Sequence, residues 1–324
     1  MSRIARPTQP RPLKERRTLR VLISGASGFI GTELCRQLEA DGHTVLRLVR
    51  RPAKSESEFS WAPTAQSTSS TSTSSTSLDP ALIDSVDAVV NLSGASTGRI
   101  PWTRGYKKTI LDSRVQPTQA IAEAMNLASS PPEVFLSASA VGFYGDQPGF
   151  RLTEQSAHGH DFLSGVVEAW EQAAHLASAT TRVVTFRTGL VVGRGGAFTP
   201  LTLLTKLGLA SRMGTGGQHW PWISLYDEAA AIRHLLSSQL SGPVNLAGPT
   251  PATSDRITRH LAHAIHRWQP FAIPEPFIRV GFGEAGQALL LTSQKVIPAR
   301  LVADGFSFRH DTVEQAIDAM MTTA

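Results

Sequence analysis

Short apolar runs alternate with longer stretches whose apolar positions recur every three or four residues, and that rhythm persists from Leu19 to Leu246. Leu19–Ser24 reads as a short buried strand, followed by a glycine-rich turn and a helix to about Ala40. Asp41-Gly42-His43 ends the helix, since glycine takes up the left-handed cap without a steric penalty. A second strand, Thr44–Val49, runs into Arg50-Arg51-Pro52. Strand, helix and strand in so short a span make a βαβ unit, which is parallel and right-handed. After a short segment at Phe59–Trp61 the pattern continues. It predicts a strand at Asp87–Asn91, a helix at Arg104–Leu127, a strand at Val134–Ser139, a helix at Asp161–Ala177 and a strand at Arg182–Leu190. Glycine- and proline-rich connections fill 193–222, before a helix at Asp227–Ser237 and a last strand at Val244–Leu246.

This alternation predicts the α/β class: a Rossmann-type, doubly wound parallel sheet with helices on both faces. Residues 19–247 form the nucleotide-binding domain in this reading, with a lobe-forming insertion at about 194–225. Residues 248–324 make a smaller, mostly helical lobe on the substrate side, and residues 1–18 form a disordered basic tail. Residues 67–77 are Ser and Thr throughout, a composition that buries no apolar area, so 64–77 is expected to be a surface loop.

Composition narrows the function classes. No run approaches the roughly 18 apolar residues of a membrane helix. The net charge of +5 invites a nucleic-acid reading, but residues 1–20 carry seven Lys/Arg against Glu15 alone, a net of +6 that leaves the rest of the chain at −1. A nucleic-acid surface needs its cations on one face of a folded domain, so that class is set aside. Pro7, Pro10 and Pro12 interrupt any amphipathic presequence in the tail, and a secretory signal is lacking. The single cysteine, Cys35, excludes an internal disulfide and suits a reducing compartment, so a cytoplasmic location is expected. His260, His263 and His266 fall on one expected helix at a spacing that reads as a polar stripe rather than a metal site.

The chemistry begins at Ser24-Gly25-Ala26-Ser27-Gly28-Phe29-Ile30-Gly31, between the first strand and helix. Gly25 permits the tight turn, Gly28 lets backbone approach a pyrophosphate, and Gly31 lets helix and strand pack closely. The free amides and positive end of the helix then hold phosphates. The spacing is Gly-x-x-Gly-x-x-Gly, so position between strand and helix carries more weight than the triplet itself. An acid at the end of the second strand would grip the ribose hydroxyls of NAD. This chain has Val49 followed by Arg50 and Arg51, and a guanidinium grips a 2′-phosphate through paired charged hydrogen bonds. NADP(H) is therefore the favoured cofactor, with Arg50 the first choice.

With these residues in place, the chain resembles the atypical or extended short-chain dehydrogenases/reductases, and among them the sugar-nucleotide epimerase-like family with its C-terminal domain. The resemblance runs from about residue 19 to the C-terminus. Its motifs are the glycine turn, Asn91-Leu92-Ser93-Gly94-Ala95, Trp102, Asp112-Ser113-Arg114, Ser137–Gly145, Trp170-Glu171, Arg187–Gly193, and a tail at Pro274–Met320. It implies that Ser27, Phe29 and Ile30 complete the phosphate turn and that Leu92, Ser93 and Gly94 flank the adenosine and ribose. Arg114 would reach the phosphates and Val191 would lie near the nicotinamide. On its residues alone Arg114 also reads as an ion pair with Asp112 or Glu123, and Asn91 as a strand-end cap.

The superfamily moves its proton with a Tyr and a Lys one helical turn apart, the Lys charge lowering the Tyr pKa. Counting back from Glu171, those positions hold Leu163 and Val167, which exchange no protons. Substitution of the pair is usual in the family the chain resembles. Ser139 matches the superfamily's active-site serine when one residue is inserted before Tyr144, so Ser139 and Tyr144 are the catalytic candidates, with Tyr106 and Lys107 behind them. At Trp222-Ile223-Ser224-Leu225-Tyr226-Asp227, Ser224 stands where the family has a His and Tyr226 where it has an acid. The expected function is an NADP(H)-dependent oxidoreductase or epimerase-like enzyme with a small or nucleotide-linked substrate. The alternative is a non-catalytic NADP(H)-binding regulatory or redox-sensing protein. A homodimer is the expected assembly by analogy.

Overall fold

The structure, a computed structural model, describes residues 18–63, 78–177 and 181–322. The basic tail up to residue 17 and the Ser/Thr segment lie outside the described residues. Seven strands pair entirely in parallel: β1 (Arg20–Ser24), β2 (Thr44–Val49), β3 (Glu58–Ser60), β4 (Ala88–Asn91), β5 (Val134–Ala140), β6 (Arg182–Thr188) and β7 (Gly242–Leu246). Their order is β7-β6-β5-β4-β1-β2-β3, so the chain winds outward in both directions from β1. The crevice where the winding reverses, between the carboxyl ends of β1 and β4, is where such sheets take ligands.

Period-two alternation explains the two cores. Val21 and Ile23 of β1 point into one layer and Leu22 into the other, all three fully buried. Complete burial of such a side chain contributes roughly 1.5–3 kcal/mol. Helices α1 (Phe29–Ala40) and α6 (Leu225–Ser237) cover the first face. The second is covered by α2 (Pro80–Asp84), α3 (Arg104–Leu127) and α4 (Phe162–His175). Side-chain oxygens of Asp79, Thr103, Asp161 and Ser224 cap α2, α3, α4 and α6. At α1 the cap position is Gly28, which has no side chain to offer, so the first-turn amides stay open.

Past β6 the chain departs from the simple reading. The strand expected to run to Leu190 ends at Thr188. Leu190–Val192 forms a separate parallel ladder with Trp222–Ser224. Gly189 makes the break: its amide bonds the Leu246 carbonyl, and a Cβ there would lie 2.5 Å from the Pro221 oxygen. The 193–222 stretch contains a helix, α5 (Phe198–Lys206), as well as connections. The smaller lobe comprises α5, α7 (Ser254–Ala264), α8 (Glu275–Gly286) and α10 (Val313–Thr322) with short ladders, while α9 (Ala299–Ala303) packs Leu301 into the sheet core beside β7. Trp220, Trp222, Ile257, Leu261, Ile278 and Ile317 are among its core residues. The histidine stripe is corrected here, because α7 ends at Ala264. His266 lies beyond it at φ +55°, and His260 pairs with Asp318.

Candidate functional site

The turn from β1 to α1 is as tight as its glycines allow. Gly25 has φ +74°, and a Cβ there would meet the Leu92 carbonyl oxygen at 2.7 Å. A Cβ on Gly31 would fall 2.3 Å from the Gly25 oxygen and 2.8 Å from the Ala26 Cα. Strand end, helix start and the loop after β4 thus approach closer than side chains permit. Ser27 and Gly28 are exposed at the rim. The Phe29 ring packs against Gly193, Gly195 and Gly196, Ile30 against the sheet core, and Val191 sits on the same core opposite Ile223.

At the end of β2 the two arginines separate. Arg51 is bidentate to Glu58, with both nitrogens at 2.7 Å. The same carboxylate accepts the Lys54 amide, and Arg51 with Lys54 holds it down at about 2. Arg50, just beyond the half-buried Val49, is exposed and has no carboxylate partner among the described residues. The two arginines, both expected at the ligand, thus differ: the Arg51 fork is engaged by Glu58 and that of Arg50 is not.

The loop after β4 is held from below. The Asn91 side chain accepts from the Ser24 hydroxyl at 2.6 Å and the Ser93 amide at 3.1 Å, and it donates to Thr118 at 2.7 Å. It ties β1, β4 and α3 together, fulfilling the strand-end role read from the sequence. Arg114 donates to the carbonyls of Ile110 and Ala95 and lies 5.3 Å from the Trp170 ring, close under Gly94. Asp112 pairs with Lys108, so the expected alternative ion pair to Asp112 is not made. Burial without a carboxylate lowers the Arg114 guanidinium to about 10. An under-compensated cation beside Leu92, Ser93 and Gly94 suits an anionic ligand.

The catalytic candidates fare differently. The Ser139 hydroxyl donates to Glu171 at 2.5 Å, and Glu171 is clasped by Arg187 at 2.8 and 2.9 Å. Arg187 reaches the Tyr144 hydroxyl at 3.1 Å, which itself donates to Asn245 at 2.6 Å. All five residues are buried, Tyr144 completely, and burial pushes the Tyr144 phenol up. The Tyr144 phenol, expected as a candidate acid, is held inside a buried network rather than at an open surface. The Ser139 hydroxyl hydrogen is engaged by a carboxylate that Arg187 holds in place. Leu163 and Val167 pack toward Gly142 on α4. Tyr106 donates to the Ser96 carbonyl, and Lys107 of α3 pairs with Glu284 of α8.

Between the lobes lies a polar cavity of about 360 Å³, whose walls include Asp146, Gln218, His219, Arg279 and Gln287. The Gln287 side-chain oxygen is buried there without a partner. Burial, aided by Lys295, lowers the His219 pKa. His219 falls within the glycine- and proline-rich connections read at 193–222, where no pattern singles it out. Ser224, replacing the expected histidine, caps α6 and meets His310 at 2.9 Å, so an imidazole returns to that place from the C-terminal segment. Among the described residues no cluster of His, Cys, Asp and Glu is arranged to hold a metal, and no helix is long and apolar enough to cross a membrane.

Compared with known protein families, residues 21–248 match the NAD dependent epimerase/dehydratase family, and residues 273–320 match a domain of unknown function, DUF1731. An epimerase family protein of Mycobacterium bovis is 37% identical over 300 residues, covering 92% of this chain and 96% of its own length. The human epimerase family protein SDR39U1 is 33% identical over 295 residues, with 90% and 95% covered. The crystal structure of human SDR39U1 isoform 2, solved with NADPH, superimposes with a TM-score of 0.83 at 31% identity, covering 94% of this chain and all of that one. A nucleoside-diphosphate sugar epimerase from Corynebacterium glutamicum gives a TM-score of 0.75 at 31% identity, covering 94% of this chain and 58% of its own. The chain belongs to the NAD dependent epimerase/dehydratase family, among the SDR39U1-type epimerase family proteins.

Proposed function

We propose that the chain binds NADP(H) across the carboxyl ends of β1 and β4 and uses it in an oxidoreductase or epimerase-like reaction in the interlobe cleft. The observation that carries the cofactor reading is the exposed Arg50, without an acid partner among the described residues, beside a neighbour that Glu58 has taken. Gly25, Ser27, Gly28, Phe29, Ile30 and Gly31 supply the cradle, open amides take the diphosphate, and Arg114 adds its charge from beneath Leu92, Ser93 and Gly94. Residues near Val191 face the nicotinamide end. The fit is supported by the cradle that a Cβ at Gly25 or Gly31 would fill and by the solved relative's NADPH.

When bound, the nicotinamide supplies a hydride carrier. The chain's own part is to exclude water, orient the substrate and manage one proton. Leu163 and Val167 of α4 pack beside Gly142 and offer no group that exchanges a proton, and Ser139 keeps only acceptor capacity because its proton points at Glu171. The proton then moves through water or the substrate, and His219, kept neutral by burial, is the one imidazole on the cavity wall. The polar walls of that cavity suit a small or nucleotide-linked polar substrate.

Two measurements test the reading. Arg50→Ala is expected to weaken NADPH binding about 10- to 100-fold, the loss of a charged hydrogen bond, while NADH changes little. Equal losses for both nucleotides remove Arg50 from the 2′-phosphate role. Turnover is read from nicotinamide absorbance against a panel of carbonyl compounds. Tight NADPH binding with no oxidation by any compound shifts the protein to the regulatory reading.

A further inference from the structure

One end of the smaller lobe presents large apolar side chains to water. Trp268 is 87% exposed and Leu207 65%, Leu203, Leu209 and Phe271 are half exposed or more, and Leu204 is 42% exposed. They come from turns and helix ends that the fold brings together. Gly208, at φ +77°, ends α5, and the Leu209 amide bonds back to the Leu204 carbonyl, which gathers the leucines around one helix terminus. Arg267, just beyond the end of α7, donates to the Lys206 carbonyl at 3.2 Å and so lays the chain before Trp268 onto that terminus. Phe271–Ile273 pairs with Ser211–Met213, which sets Phe271 opposite Ser211, two residues past Leu209.

Six large apolar side chains exposed at one place mark a contact surface rather than the scattered apolar residues of an ordinary exterior. The charges around them indicate the chemistry of the contact. Lys206, Arg212 and Arg267 are exposed beside the patch and have no acid partner among the described residues. Acids on the neighbouring helices are taken: Asp255 pairs with Arg259, Glu314 with Arg256 and Asp318 with His260. The chain places no Asp or Glu at 172–226 or 256–274, the stretches that build the patch. Laid on a second copy, these free cations would face their own kind; laid on a bilayer with anionic headgroups, they are neutralised. The apolar side chains match the same surface. An indole settles at headgroup level, with leucines reaching the acyl boundary below it.

We propose that the end of α5, the turn after it and residues 267–271 form a docking surface for an anionic lipid bilayer. Leu203, Leu204, Leu207 and Leu209 enter the acyl boundary, Trp268 sits at the headgroups, and Lys206, Arg212 and Arg267 meet the lipid anions. The walls of the interlobe cavity and the glycine turn draw no residue from this surface, so docking leaves both free.

Vesicle binding by the full chain tests the assignment, and Trp268 reports on it directly. Of the six tryptophans, Trp61, Trp170, Trp220 and Trp222 are buried and Trp102 is half-buried, so bromine carried on lipid quenches Trp268 first. The expected result is pelleting with vesicles of brominated phosphatidylcholine and phosphatidylserine, with fluorescence quenching that Trp268→Phe removes. Trp268→Asp is expected to weaken binding about tenfold or more. Lys206→Gln is expected to weaken it about fivefold, the loss of one charge facing the headgroups. Leu127→Asp, at an exposed apolar position at the end of α3, is expected to change nothing. Thermal unfolding and NADPH affinity are expected to hold in all variants, which separates lost docking from lost folding. The basic residues among 1–20 attract anionic vesicles on their own account, so pelleting without quenching would assign the binding to them and overturn the proposal. So would a wild-type chain that stays in the supernatant at low salt, or a Trp268→Asp variant that binds as well as wild type. A wild-type chain that ignores vesicles but self-associates in sedimentation velocity, with Trp268→Asp monomeric, would give the patch to a second copy instead.

Discussion

Arg50 and Arg51 are neighbours of the same type, and only their surroundings separate them. A guanidinium already engaged in two charged hydrogen bonds with Glu58 has little left for a phosphate. Arg51→Ala is therefore expected to leave the NADPH-to-NADH affinity ratio unchanged, in contrast to Arg50→Ala. A fall in that ratio would restore Arg51 to the phosphate. The same reasoning bears on Tyr144, whose hydroxyl joins Arg187 to Asn245 in a fully buried setting. Tyr144→Phe strands one donor and one acceptor and is expected to lower stability by about 1–3 kcal/mol in denaturant unfolding, with NADPH affinity unmoved. A variant of wild-type stability whose turnover collapses would return Tyr144 to the chemistry. Neither pairing was visible in the sequence. Glu58 lies seven residues from Arg51 and Asn245 about a hundred from Tyr144, and hydrogen-bond partners at such separations are set by the finished fold.

At the scale of elements, the strand-to-helix turn is where local sequence and architecture agree most closely. The strand at Thr44–Val49 was legible to the residue and the helix at about Arg104–Leu127 closely, because apolar periodicity marks them. The break after Thr188 was not, since Gly189 sits inside one strand-like stretch, Arg182–Val192. Its close approach to Pro221 is a tertiary fact. Helix α5 was hidden among glycines and prolines because its partly buried residues pack on a lobe the pattern does not display. The glycines, by contrast, were legible by function. Gly31→Ala is expected to push α1 away from the turn, lowering stability by roughly 1–3 kcal/mol and NADPH affinity at least tenfold. Gly42→Ala is the contrasting case. With φ +84° but open space around it, it costs backbone strain of about 1–2 kcal/mol and leaves binding alone. If calorimetry found the two variants equally impaired in binding, the close-packing role of Gly31 would be lost.

Across the whole molecule, two buried acids open α6, and the first of them ties the C-terminal segment to the sheet domain. Asp227 accepts the backbone amides of Arg309 and His310 from the C-terminal segment, together with the Ser224 hydroxyl. The next residue, Glu228, is wholly buried with one oxygen accepting from Thr188 at the end of β6 and the other unpartnered. Burial pushes its carboxyl up to about 8, against an ordinary value of 4.5. Between those two values the folded chain holds a proton that the unfolded chain has released. Stability therefore falls as pH rises from about 4.5 to about 8, by up to roughly 1.4 kcal/mol per pH unit for one proton. Above about 8 both states are ionised and this contribution levels off. Glu228→Gln keeps an acceptor for Thr188 and removes the titration, so the difference between wild type and variant isolates the group from every other acid. Denaturant unfolding at a series of pH values is expected to show the variant gaining on wild type steadily up to about pH 8. Parallel curves for the two proteins would mean that Glu228 is ionised in the folded state, with a cation or ligand at its free oxygen.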